Sequence, residues 1–462
     1  MEDVRELLQQ VAAAIARYRA DLPEARVGPA RRRADVRAAL ESPVPELGVT
    51  PDQVLSELLS AASPGLMASS GPRYFGFVVG GAVDAALLAE LMTVGWDQVA
   101  FNEATSPAAI AFEDVAGRWL KELLGLPSTA SVGFVTGAQA ANTVGLAAGR
   151  WHVLRKAGWD VGKRGLRCAP PVRVVAGAER HATIDRALRL LGLGEDSLVT
   201  VPPTAQGAMD AEALAAVLAD LDRAPTIICA QAGNVNTGAC DDLEAVGRAA
   251  RSAGAWLHVD GAFGLWAAAT PAKAHLVRGL AAADSWACDG HKWLNVPYDS
   301  GYAFCAHPDV HATALAYTAS YLTGQDADRE WGGGDFVPES SRRARGFATW
   351  AALRQLGRSG VAEMVERCCT LAQGLAEKLA ADARIEVVND VVLNQVLVRV
   401  GDAAQTDAVE RAVQDEGVVW LGATTWRGER LLRISISNAM TREPDTDACA
   451  RALFRALDGV AG

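Results

Sequence analysis

Between residues 2 and 20, Val4, Leu7, Leu8, Val11, Ile15 and Tyr18 recur at helical spacing with Glu, Arg and Gln opposite them. That stripe predicts an amphipathic helix that needs a surface to cover. Proline and glycine punctuate residues 21–51, with Pro43 and Pro45 marking an extended link, and Thr50-Pro51-Asp52 signals the start of a second helix.

From about residue 130 the pattern alternates. Apolar, β-rich runs at Val172–Gly177, Ser197–Val201, Thr226–Gln231, Trp256–Asp260, Asp284–Cys288 and Tyr302–Cys305 end in Gly or polar residues. Between them lie alanine- and leucine-rich helical segments, among them Thr183–Leu193, Asp210–Leu221 and Asp241–Ala253. Such βαβ alternation implies an α/β fold with a mainly parallel sheet covered on both faces, whose ligands gather at the carboxyl ends of the strands. After Gly346 a long helical stretch to about Ala381 is followed by strand candidates at Ile385–Val388, Gln395–Val400 and Leu431–Ser437. The expected organisation is an N-terminal helical segment (1–75), a large α/β domain (76–345) and a small C-terminal α+β domain (346–462).

Composition narrows the function. The longest uncharged stretch, Leu123–Gly149, contains Pro127, Gln139, Asn142 and five Gly, which suits buried soluble structure better than a bilayer span. No apolar segment follows a basic patch at the N-terminus, so a cytoplasmic protein is expected. The cysteines at 168, 229, 240, 288, 305, 368, 369 and 449 form no C-x-x-C pair, which argues against a zinc site or a disulfide framework. A net charge of −11 argues against a nucleic-acid surface, and the short basic run Arg31–Arg33 reads as a solvated face.

Four features carry chemistry. Lys292, in Gly290-His291-Lys292-Trp293 just beyond an apolar strand, is placed for desolvation to favour a nucleophilic amine. Asp260 ends the run Trp256-Leu257-His258-Val259-Asp260, where a carboxylate can pair with a protonated ring nitrogen or cap the next helix. The turn Thr136-Gly137-Ala138-Gln139 opens an alanine-rich helix whose first N–H groups make a seat for phosphate. His181 stands at a strand-to-helix junction, where an imidazole stacks on a flat ring, exchanges protons or caps the helix. In order and spacing all four fall at strand ends of one sheet, within reach of one ligand.

These residues resemble the group II pyridoxal-phosphate-dependent decarboxylases, which include aromatic-L-amino-acid, histidine and glutamate decarboxylases. The likeness runs from Tyr74-Phe75-Gly76 through Ser106-Pro107-Ala108, the Thr136 turn, His181, Asn236-Thr237-Gly238-Ala239, Asp260, His291-Lys292-Trp293 and Arg342-Arg343 to Leu432-Arg433-Ile434-Ser435. It implies a type I, aspartate aminotransferase-like fold and pyridoxal 5'-phosphate bound as an internal aldimine on Lys292. Asp260 would pair with the pyridine nitrogen and His181 would stack on the ring. Ala138 and Gln139 would meet the phosphate, with Ala262 and His291 lining the pocket. It also implies a homodimer whose N-terminal helices wrap the partner and whose active sites lie at the subunit interface.

The implied reaction is decarboxylation of an amino acid, aromatic or related, to its amine. Two departures bear on it. Gly332 stands where the aromatic enzymes carry a loop tyrosine associated with protonating the carbanion, six residues before Pro338, and Gly80 stands where a threonine helps hold the substrate carboxylate. Tyr317, Tyr321 or a water are then the proton sources to weigh. Aldehyde synthesis with O₂, retro-aldol cleavage, transamination and a non-catalytic cofactor-binding role remain alternatives. Trp96, Phe101, Trp266 and Trp331 are candidate pocket walls or simply core; an acidic substrate would need an arginine in the pocket, and the sequence does not place Arg342 or Arg345.

Overall fold

A computed structural model describes residues 4–221, 224–317 and 331–460. Strands β1 (Ser131–Val135), β2 (Arg173–Gly177), β3 (Leu198–Val201), β4 (Thr226–Gln231), β5 (Trp256–Asp260), β6 (Ser285–Asp289) and β7 (Gly301–Cys305) form one sheet in the order β1-β7-β6-β5-β4-β2-β3. The pairs β2–β3, β2–β4, β4–β5 and β5–β6 are parallel, whereas β7 runs antiparallel to both β1 and β6. Every residue of β4, β5, β6 and β7 is buried, as expected of strands covered by helices on both faces.

The helices between the strands follow the sequence pattern closely, as Ala182–Leu190, Ala211–Asp220 and Leu243–Ala253. Asp210 and Asp242 end the preceding segments because their carboxylates accept N–H groups of the first helical turn, replacing hydrogen bonds that a helix start lacks. The uncharged stretch Leu123–Gly149 folds into β1 and most of the helix Ala138–Lys156, much of it buried. Among the described residues no helix is long and apolar enough to cross a membrane.

A second sheet, β8 (Glu386–Val387), β9 (Gln395–Arg399), β10 (Gly422–Trp426) and β11 (Glu429–Ser435), is antiparallel in the order β10-β11-β9-β8. The sequence pattern predicts one strand after residue 420, and the structure has a hairpin. Within β10 only Trp426 is buried, so no apolar alternation marks it. The turn Arg427-Gly428 has φ of 53° and 81°, the left-handed pair that a two-residue hairpin requires. The long helix Gly346–Ala380 breaks at Gly357, where φ is 61°.

The N-terminal helix Val4–Asp21 has no fully buried residue, and Val4 and Leu8 remain 67% and 63% exposed. Leu7, Val11, Ile15 and Tyr18 are half-buried, so the stripe seen in the sequence is only partly covered within the single chain.

Candidate active site

The four features do converge. Gly137 follows β1, His181 follows β2, Asp260 is the last residue of β5 and Lys292 lies three residues past β6. Because β1, β2, β5 and β6 all run in one direction, these positions share the carboxyl edge of the sheet.

Lys292 Nζ lies 2.9 Å from Asp289 Oδ2, and Asp289 Oδ1 accepts the N–H of Ala138 at 2.5 Å. The lysine is therefore docked against the opening of the helix Ala138–Lys156. Gly137, the N-cap of that helix, supplies no side-chain cap, which leaves the first turn to an outside acceptor. A Cβ at Gly137 would come within 2.9 Å of the His291 ring, so a side chain there would crowd this turn. Gln139 Nε2 reaches the carbonyl of Thr183 at 3.2 Å, tying the turn to the His181 segment.

Asp260 is 5% exposed. Its Oδ1 accepts from the Ala262 N–H at 3.2 Å and its Oδ2 from Asn142 Nδ2 at 3.0 Å.

His181 caps the helix Ala182–Leu190. Its Nδ1 accepts the Thr183 N–H at 3.3 Å, so the neutral ring carries its proton on Nε2. The residue is solvent-exposed, and desolvation by the protein packed around it lowers its pKa. Lys292 and Arg433 push it the same way against Asp260 and Asp289. His291 Nδ1 accepts from the Ser300 N–H at 3.2 Å, and its ring stacks on Tyr298 with centroids 4.3 Å apart.

Trp266 is fully buried and donates to the Asp289 carbonyl at 3.0 Å, so it supports the Asp289 backbone and forms no pocket wall. Trp96 packs edge-on against Phe347, and Trp331 donates to Asp309 at 3.1 Å. Arg342 is engaged with Glu113, at 2.5 and 2.6 Å, and Arg345 with Asp299 at 2.7 Å. Tyr317 pairs with Ser340, and Tyr321 lies outside the described residues. A threonine at Gly80 is excluded here, because a Cβ would fall 1.9 Å from the Lys292 carbonyl oxygen.

Three participants escaped sequence reading. Asn142 reads in the sequence only as a polar residue of the uncharged stretch Leu123–Gly149, and Asp289 falls between the run Asp284–Cys288 and the motif Gly290-His291-Lys292-Trp293. Arg433, in Leu432-Arg433-Ile434-Ser435, has its pKa lowered by burial and acts electrostatically on His181, which places a cation at the same edge.

The glycine turn, the buried acid, the imidazole and the lysine are thus gathered at one edge of the sheet. No group of three or more His, Cys, Asp or Glu among the described residues is arranged to hold a metal ion.

Comparison with known proteins agrees. Residues 34–400 match the pyridoxal-dependent decarboxylase conserved domain. The chain is 26% identical to 4-hydroxyphenylacetaldehyde synthase of Rhodiola rosea, over 88% of this chain and 85% of that protein. It is also 26% identical to tryptophan decarboxylase 1 of Oryza sativa subsp. japonica, over 96% and 91%. A crystal structure of Oryza sativa TDC with PLP and tryptamine superposes with a TM-score of 0.92 at 24% identity, covering 100% of this chain and 99% of that one.

Proposed function

Since the chain belongs to the pyridoxal-dependent decarboxylase family and is an enzyme that uses pyridoxal phosphate, we propose that it decarboxylates an aromatic L-amino acid to the amine, with Lys292 carrying the cofactor. The observation that carries this reading is the meeting of Lys292, Asp260, His181 and the Gly137 turn at one sheet edge.

When bound, pyridoxal phosphate supplies an electron sink for the pair left behind as CO₂ departs. Asp260, oriented by hydrogen bonds from Asn142 and the Ala262 N–H, would pair with the cofactor's ring nitrogen. His181 offers a ring face whose orientation Thr183 sets. Ala138, Gln139 and His291 surround the phosphate seat, and Ala262 lines the pocket beside Asp260. Arg433 offers the substrate carboxylate a cation, which keeps the amino acid oriented toward Lys292.

The substrate class rests on the relatives, which include tryptophan and tyrosine decarboxylases. A second reading, O₂-dependent conversion of the amino acid and water to an aldehyde, CO₂, ammonia and hydrogen peroxide, is favoured by Gly332 at the tyrosine position.

We read the exposed apolar residues of the helices Val4–Asp21, Pro51–Ala62 and Asp84–Trp96, such as Leu8, Leu58, Leu88 and Met92, as the face that a second copy covers in a homodimer. We assign residues 1–75 to a helical segment that packs on that second copy, 76–345 to the large cofactor-binding domain and 346–462 to the small C-terminal domain. All eight cysteines are free thiols, in keeping with a cytoplasmic location.

Incubation of the cofactor-loaded protein with aromatic amino acids under argon tests the reaction. One amine and one CO₂ per substrate consumed are expected. Product formation that requires O₂ and yields aldehyde overturns decarboxylation to the amine.

A further inference from the structure

One face of β5 carries Trp256, His258 and Asp260, since alternate residues of a strand point the same way. All three are buried, with His258 fully so. Opposite them, the helix Ala138–Lys156 presents Asn142, Gly145 and Gly149 at spacings of three and four, on one helical face. The two glycines make room. A Cβ at Gly145 would lie 2.5 Å from His258 Nδ1, and one at Gly149 would lie 2.8 Å from Trp256 Cδ1. Ser285 stands beside His258 in register on β6.

These residues are linked without a gap. Trp256 Nε1 is 2.9 Å from Ser285 Oγ, which is 2.9 Å from His258 Nδ1. His258 Nε2 is 2.9 Å from Asn142 Oδ1, and Asn142 Nδ2 is 3.0 Å from Asp260 Oδ2. The two ends determine the direction. The indole N–H only donates, so Ser285 Oγ accepts from it and turns its own hydrogen to the imidazole. At the other end an ionised carboxylate only accepts, so Asn142 must face it with its amide nitrogen. Its oxygen then takes a hydrogen from His258 Nε2. The remaining Asn142 hydrogen meets Thr183 Oγ1 at 3.1 Å, and that hydroxyl lies 2.9 Å from His181 Nδ1.

We propose that His258 is a positioning residue, a neutral imidazole protonated at Nε2 in a one-way hydrogen-bond chain from Trp256 to Asp260 that fixes the Asn142 amide and, through it, both Asp260 and His181. Reversing any member would set oxygen against oxygen at the carboxylate, so the chain admits one arrangement. Burial also pushes the His258 pKa down to about 3, in keeping with a neutral ring. The role assigned to Asp260 rests on the functional reading above, whereas the chain itself rests on geometry.

Two measurements test it. In protein labelled with ¹⁵N-histidine and free of cofactor, the His258 ring nitrogens at pH 7 are expected to show Nε2 protonated and Nδ1 bare. A proton on Nδ1, or on both nitrogens, overturns the proposal. Pyridoxal phosphate affinity is then compared between H258Q, whose amide nitrogen reaches the Nε2 position, and H258N, whose amide reaches only Nδ1. Affinity within a few-fold of the parent for H258Q and a loss of at least about tenfold for H258N are expected, the scale of one hydrogen bond to a charged group. Equal losses in both variants indicate packing alone and overturn the proposal. If the parent protein binds no pyridoxal phosphate, the functional reading fails, and the nitrogen shifts still decide whether the chain exists.

Discussion

Asp289 joins Lys292 to the phosphate seat: one carboxylate oxygen lies 2.9 Å from Lys292 Nζ while the other accepts the Ala138 N–H at 2.5 Å. A carboxylate that is 1% exposed thus occupies the N–H group that a phosphate would take, and opposes a second anion in the same seat.

Asp289→Asn removes that repulsion and releases the ion pair with Lys292. Cofactor-free Asp289→Asn protein is expected to take up pyridoxal phosphate several-fold faster, with a weaker dependence on ionic strength, since like charges are screened by salt. Stopped-flow absorbance measures the rate. Slower uptake would show that the carboxylate recruits the cofactor and does not compete with it.

Glu113 and Arg342 form a buried bidentate pair with side chains 3% and 1% exposed. Burial raises the Glu113 pKa, and Arg342 opposes the rise. Arg342→Met leaves the carboxylate without its cation and is expected to cost about 3–5 kcal/mol of stability. Urea unfolding checks this. The double substitution Glu113→Gln with Arg342→Met should recover a large part of the loss, because no charge is then stranded.

Burial holds both His258 and His311 down to about 3. Each stays neutral in the folded chain, whereas the unfolded chain gains a proton at each as pH falls through about 6.5. The unfolded state then binds more protons, so the pair's contribution to stability is present above about 6.5 and is lost on acidification. Between about pH 7.5 and 5.5 the loss is roughly 3 kcal/mol for the two together. His311→Gln should roughly halve it in urea melts at those two pH values. An unchanged difference would contradict the assignment.

At Gly332 a Cβ would meet nothing within 4 Å, and its φ of −111° suits any residue. Gly332→Tyr should therefore change stability by no more than about 0.5 kcal/mol. If this position governs the fate of the carbanion, the variant raises the ratio of amine to aldehyde products in air. Chromatography of both products decides, and a ratio unchanged in a folded variant separates the residue from the chemistry.

The parallel strands were legible because helix cover on both faces demands unbroken apolar runs, and the termini of those runs pointed to His181, Asp260 and Lys292. β1 was hidden within the uncharged run Leu123–Gly149, where no charge punctuates strand from helix. β10 was hidden because its residues other than Trp426 are not fully buried. In the site, Asn142, Asp289 and Arg433 owe their roles to partners on other elements, as when Asn142 reaches Asp260 across more than a hundred residues. Local pattern cannot show such contacts. Arg342 and Arg345 could not be placed from sequence for the same reason, since Glu113 and Asp299 engage them only once the chain is folded.

The central claim is that one lysine, Lys292, carries the cofactor. Hydride reduction of the cofactor-loaded protein followed by peptide mass mapping tests it most directly. The account predicts a single pyridoxyl adduct on the Lys292 peptide, absent in Lys292→Ala along with the visible absorption of the loaded protein. An adduct on another lysine, or a loaded Lys292→Ala protein that keeps its absorption and turnover, would contradict it.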